Sequence, residues 1–175
     1  MADDDNLFSV QILAPDRALL TGRAEQVIMR TEDGDITFLK GHTPLVGAVV
    51  PCVVRVVREG DEEERLAVHG GFVQVEQLDE TENDDDGGSA GASRGDTGTR
   101  VTVLASVAEL SAEIDVERAR VALESAQTRV SDLTAASGRS SSPDGDEADA
   151  ELVEAQGAVQ RAEVRLEASG ATTAA

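Results

Sequence analysis

Apolar and polar residues alternate along much of the first hundred positions. Phe8, Val10 and Ile12 are separated by Ser9 and Gln11. Val73 and Val75 alternate with Gln74 and Glu76, and Val101 and Val103 flank Thr102. A period of two puts such residues on one face of a strand, and the β-branched run Val53, Val54, Val56 and Val57 around Arg55 suits the same pleated surface. Turn signals punctuate the runs at Ala14-Pro15-Asp16, Glu32-Asp33-Gly34-Asp35, Gly41-His42-Thr43-Pro44, Glu59-Gly60-Asp61 and Gly70-Gly71. Short strands at this spacing predict an antiparallel sandwich or flattened barrel.

From about Ser106 the period changes. Val116, Ala119, Leu123, Ala126, Val130 and Leu133 recur at alternating steps of three and four, as do Leu152, Ala155, Val159, Ala162 and Leu166. These are two heptad seams rich in alanine, which allows close helix approach. The Gly-Ser-Pro-rich stretch from Ser137 to Gly145 reads as the turn between them, making the helices antiparallel neighbours. Leu or Val alternating with Ala buries little area, and Gly157 costs the second helix about 1 kcal/mol relative to Ala. The hairpin is therefore expected to be marginally stable and movable. The predicted fold class is α+β: an antiparallel β-sandwich over residues 1–105, then an α-helical hairpin over 106–175 with its turn near 137–145 and a frayed C-terminal tail.

Charge divides the chain differently. Of 175 residues 35 are acidic and 15 basic, a net charge of −20. Residues 79–99 hold seven acids against one base, and contain no large apolar side chain after Leu78. Such a segment cannot offset its ordering entropy by burial, so it reads as a disordered surface insertion within the β domain. Asp84-Asp85-Asp86 lacks the ligand spacing of a calcium loop. The excess of acid opposes contact with a phosphate backbone, and an aromatic content of 2 % leaves no stacking platform, which excludes nucleic acid as a partner. Lys40 is the one lysine; the arginine bias and acid excess fit either a salty cytoplasm or a GC-rich genome.

Cys52 alone rules out a disulfide scaffold and, following Pro51 in an apolar run, reads as a buried inert thiol. Met1-Ala2-Asp3-Asp4-Asp5 has neither the positive start nor the apolar run of a secretory signal. The longest apolar stretch, Leu45 to Val54, is about half a membrane span. The expectation is a soluble cytosolic chain that reaches a membrane through a partner.

The order of motifs resembles a known family. Gly34-Asp35-Ile36-Thr37-Phe38-Leu39-Lys40-Gly41-His42-Thr43-Pro44-Leu45, then His69-Gly70-Gly71-Phe72-Val73-Gln74-Val75, then Val101-Thr102-Val103-Leu104-Ala105, followed by an alanine-rich hairpin, looks like the epsilon subunit of the F-type ATP synthase. The resemblance runs from about Phe8 to Leu166. It implies a non-catalytic subunit of the central stalk, on the cytoplasmic face of the cell membrane, that couples proton flow to ATP synthesis. By the same resemblance the sandwich binds the gamma subunit and the c ring. The hairpin lies folded or extends into the alpha/beta hexamer, where it restrains ATP hydrolysis. Two departures stand out: Lys40 where members commonly carry Pro, and the acidic insertion where they have a short turn.

Some members bind regulatory ATP through an Ile/Leu-Asp-x-x-Arg-Ala motif, complete here as Ile114-Asp115-Val116-Glu117-Arg118-Ala119. The resemblance adds Glu109 as a ligand position, and Arg161 and Arg165 as the paired arginines of the second helix. No cofactor is required for the stalk role. The heptad register bears on this independently. With Val116 and Val159 at a positions, Asp115 and Arg118 take g and c, and Arg161 and Arg165 take c and g. In an antiparallel hairpin these flanks meet, and arginine forks there could hold a polyphosphate. The other reading of the same residues is an N-cap at Asp115 and ordinary exposed ion pairs along the helices.

Nothing in the sequence has the form of a catalytic centre. His42 and His69 lack a second pair of metal ligands, and His42 in Gly-His-x-Pro reads as a turn residue. Two further function classes stay open on the residues alone: an acidic adaptor of an unrelated assembly, and a metal-dependent β-barrel enzyme.

Overall fold

The computed structural model of the chain describes residues 6–60, 62–78, 98–137 and 145–171. Most of the acidic block, the middle of the helical connection and the C-terminal tail lie outside the described residues. The chain falls into two units, residues 1–110 and 111–175.

Among the described residues, the first unit forms a single ten-stranded sheet. Its strands are β1 (Phe8–Leu13), β2 (Ala18–Ala24), β3 (Gln26–Thr31), β4 (Gly34–Phe38), β5 (Leu45–Val49), β6 (Cys52–Val57), β7 (Glu63–Val68), β8 (Gly71–Leu78), β9 (Gly98–Ala105) and β10 (Ala108–Leu110). They run in the order β10-β7-β6-β3-β5-β8-β9-β1-β2, with β4 paired to β3. Neighbours are antiparallel except β1 and β9, which pair in parallel from Ser9↔Arg100 to Leu13↔Leu104. The sandwich is thus not wholly antiparallel. β9 lies between β8 and β1, antiparallel to the first and parallel to the second.

The inward phase is the one the alternation predicts. Val10, Ile12, Val27, Phe38, Val54, Val56, Leu66, Val73, Val75, Val101 and Val103 form one buried cluster. Pairing continues to Leu78↔Gly98, so Gly98 and Thr99, the last residues of the acidic block, belong to the sheet. Beyond Ala105 the unit also includes β10, where Ala108 pairs with Val68 and Leu110 with Leu66. Three residues are too few to register as a period of two. Cys52 is buried, with the Arg30 amide 3.4 Å from its Sγ.

On β6 and β7, Arg55 and Arg65 stand directly opposite one another, an arrangement unfavourable between like charges. Glu63 bridges them, accepting from Nε of Arg55 at 3.0 Å and from Nε of Arg65. Bonds from Arg55 first, then Arg65, hold its carboxyl at about 2, below the ordinary 4.5. A depressed carboxylate contributes stability above the unfolded value and loses it on protonation. Part of the β unit's acid sensitivity should therefore fall between pH 4.5 and 2. Glu63→Gln should flatten the unfolding midpoint across that window while costing no more than about 1 kcal/mol at pH 7. Urea titrations at a series of pH values check this. An unchanged slope would show that the bridge carries none of the acid sensitivity.

The second unit is a helical hairpin of α1 (Val116–Ser137) and α2 (Gly145–Ala168), preceded by a 3-10 turn at Ser111–Glu113. No helix of the described residues is long and apolar enough to cross a membrane.

Candidate functional site

The two helices are held by the predicted seams. Ala119 and Leu123 of α1 pack with Ala162 and Leu166 of α2, flanked by Val116 and Val159. This pairing sets the start of α1 against the end of α2, as an antiparallel hairpin requires. Asp115, Arg118, Arg161 and Arg165 therefore share one end of the hairpin.

Local chemistry fixes each of them. Asp115 precedes α1 and its Oδ1 accepts from the Arg118 amide at 3.0 Å, which satisfies one of the amides left open at a helix start. The N-cap reading of Asp115 is thus realised, and the carboxylate retains lone pairs for a further donor. The Arg118 side chain is exposed, on the flank given by its c position. Arg161 and Arg165 are half-buried on α2. The guanidinium of Arg161 lies back over Gly157, where a Cβ would stand 3.1 Å from Nη1. α2 ends with Arg165 in its last turn, a favourable place for a cation. Gly170 follows at φ +74°, closing the helix as Ser169 N donates to Arg165 O at 3.0 Å and Gly170 N to Glu167 O at 3.1 Å. What this end offers chemically is guanidinium forks, the groups that bind phosphate bidentately.

Glu109 belongs to the other unit. On β10 it stands opposite Ala67, and its Oε1 lies 3.9 Å from Nε2 of His69. The His69 side chain is 2 % exposed. The two histidines stand in connections between strands, His42 between β4 and β5 and His69 between β7 and β8. The His42 ring packs edge-on against Phe38 at 4.9 Å, its Nδ1 lies 2.8 Å from Thr43 O, and its carbonyl accepts from Gln77 Nε2 at 2.6 Å. Gly41 N donates to Thr99 Oγ1 at 2.6 Å, so the turn is tied to the base of β8 and β9. Among the described residues, no three His, Cys, Asp or Glu side chains gather where a metal could bind.

A second feature escaped the sequence reading. Ala48, Phe72, Leu104 and Leu13 form one row across β5, β8, β9 and β1, linked by the pairings Ala48↔Phe72, Phe72↔Leu104 and Leu13↔Leu104. Phe72 is 59 % and Leu104 48 % exposed, and Val46, two residues along β5, is 70 % exposed. An exposed apolar row of this kind is a candidate interaction surface. The signal was present in the alternation: Phe72 shares its phase with Gln74 and Glu76, and Leu104 with Thr102, so both were due to face outward.

Comparison with known proteins agrees with this geometry. The beta-sandwich domain of the ATP synthase delta/epsilon chain matches residues 7–80, and the long alpha-helix domain of the same chain matches residues 112–170. The ATP synthase epsilon chain of Thermobifida fusca is 41 % identical over 130 residues, covering 73 % of this chain and 79 % of the relative. That of Brevibacillus brevis is 38 % identical over 125 residues, or 71 % and 79 %. That of a Synechococcus strain is 34 % identical over 165 residues, or 94 % and 98 %. A chain in the solved Euglena gracilis mitochondrial ATP synthase (OSCP/F1/c-ring) shares the fold, with a TM-score of 0.62 at 23 % identity over 93 % of this chain and 80 % of that one. With a sheet unit and a helical unit matched in that order, and relatives this similar over most of their length, the chain belongs to the epsilon chains of the F-type ATP synthase.

Proposed function

We propose that this chain is the non-catalytic central-stalk subunit that couples proton translocation through the c ring to ATP synthesis, and that its hairpin restrains ATP hydrolysis. It works within the membrane-associated complex, on the cytoplasmic face of the cell membrane. The β unit docks to the gamma subunit and the c ring, and the hairpin, when extended, reaches the alpha/beta hexamer. The observation that carries the docking reading is the row Ala48, Phe72, Leu104 and Leu13, an apolar face of the kind that a partner subunit covers.

The hairpin's arginine-bearing end is a regulatory ATP site. Arg118, Arg161 and Arg165 hold the polyphosphate, and Asp115 fixes the start of α1. What supports this is the shared position of Asp115 and the three arginines at one end of a packed seam. ATP that binds only the folded hairpin shifts the population toward it by its differential affinity, and so lifts the restraint.

One experiment tests the whole reading. An F-type ATPase depleted of its epsilon chain receives the intact chain, a chain ending at Leu110, or the double variant Arg118→Ala, Arg161→Ala. Cutting after Leu110 keeps β10 paired with β7. The intact chain should slow hydrolysis at low ATP and less so at high ATP, and the truncated chain should bind without slowing it. The double variant should slow hydrolysis at every ATP concentration, its response shifted at least about tenfold by the loss of charge-assisted bonds. An unaltered ATP response removes the nucleotide site and leaves the stalk role. Failure of every form to bind removes the stalk role.

A further inference from the structure

Among the described residues, capping devices for both helices meet at one end of the hairpin. At this root, Asp115 caps α1, Glu117 complements the dipole from the first turn and bonds Arg120 at 2.9 Å, and α2 closes on Arg165 and the left-handed Gly170. The buried seam of Ala119, Leu123, Ala162 and Leu166 is there as well.

Towards the tip the heptad positions continue but the packing weakens. Ala155 stays buried, but Val130 and Leu133 of α1 and Leu152 of α2 are half-buried, whereas Leu123 and Leu166 of the root are buried. α1 has no basic residue in its last turn to complement the dipole. Across the same stretch three hydroxyls recur at intervals of three residues. Thr128 Oγ1 donates to Glu124 O at 2.9 Å, Ser131 Oγ to Gln127 O at 3.0 Å, and Thr134 Oγ1 to Val130 O at 2.7 Å. Each gives a main-chain carbonyl a competing donor, an arrangement that slightly destabilises and bends a helix. On α2, Gly157 lowers helix propensity where the tip meets the root.

We infer that the hairpin is two units of different stability. The root comprises residues 115–126 and 159–170. The tip comprises residues 127–136 and 149–158, and opens while the root stays folded. Rearrangement of the hairpin then begins at the tip. This division depends on the burial of the leucines, the hydroxyl back-bonds and Gly157, and stands whether or not the root binds nucleotide.

Hydrogen exchange of the full-length chain, read by mass spectrometry at peptide resolution, tests it. After correction for intrinsic rates, amides of 129–136 should exchange at least about tenfold faster than those of 119–126, and those of 151–157 likewise faster than those of 160–167. The triple variant Thr128→Ala, Ser131→Ala, Thr134→Ala removes the back-bonds and raises helix propensity. It should slow tip exchange by up to about tenfold and leave the root unchanged. Equal protection along both helices, or equal slowing of root and tip in the variant, would show a single cooperative hairpin and overturn the inference.

Discussion

Gly71→Ala is expected to cost the β unit about 3 kcal/mol or more, a large share of the 5–15 kcal/mol that holds a domain together. Gly71 opens β8 at φ +139° and pairs with Ala105 of β9. A Cβ on it would collide with the main-chain oxygen of Leu104 and stand 2.9 Å from the Ala105 Cα. Main chain cannot swing aside as a flexible side chain does. The start of the β8–β9 ladder would have to part, loosening Val73 and Val103 beneath it. Gly70→Ala supplies the control. Its φ is +87°, but the nearest atom to an added Cβ is Val49 O at 3.6 Å, an ordinary contact. It should therefore pay only the left-handed penalty of about 1–2 kcal/mol. Denaturant midpoints of the two variants separate strain from collision. Equal losses would show that the close approach of β9 is not what demands glycine at position 71.

The second large effect concerns assembly rather than folding. Phe72→Asp combined with Leu104→Asp should weaken association with an epsilon-depleted F-type ATPase by at least about a hundredfold, roughly 3 kcal/mol, because buried aromatic anchors carry much of an interface's energy. The isolated chain should unfold at nearly the same denaturant concentration, since both side chains are about half exposed already. Val121→Asp, at an exposed position on α1, provides the comparison and should leave that association unchanged. Titration of binding by the activity of the reconstituted enzyme reads the result. Full affinity in the double variant would move the docking surface off the β5–β8–β9–β1 face.

These two expectations differ in how far the sequence foreshadows them. The outward phase of Phe72 follows from counting in twos from Val73 and Val75. That it lies in a row with Ala48, Leu104 and Leu13 does not, because these residues come from four strands whose register is set by pairing across the sheet. Gly70-Gly71 reads as a turn in the sequence. The contact that distinguishes the two glycines appears only when β9 is in place. At the candidate site, the N-cap of Asp115 is local, four residues of chain deciding it. Glu109 beside His69 is a contact between β10 and the connection that follows β7, which no local pattern contains.

The order of a strand unit and a helical hairpin, the inward faces of the strands, the heptad seams and the cap of α1 were all legible in the residues. Each follows from periodicity or capping within a few turns of chain, where the hydrophobic effect and backbone hydrogen bonding act on neighbours. The parallel pairing of β1 with β9, the extension of the β unit to Leu110, the bridging of two opposed arginines by Glu63 and the assembly of the exposed apolar row emerge only in the folded chain. These depend on which distant strands become neighbours and in what register, and that choice is made by packing the whole core at once.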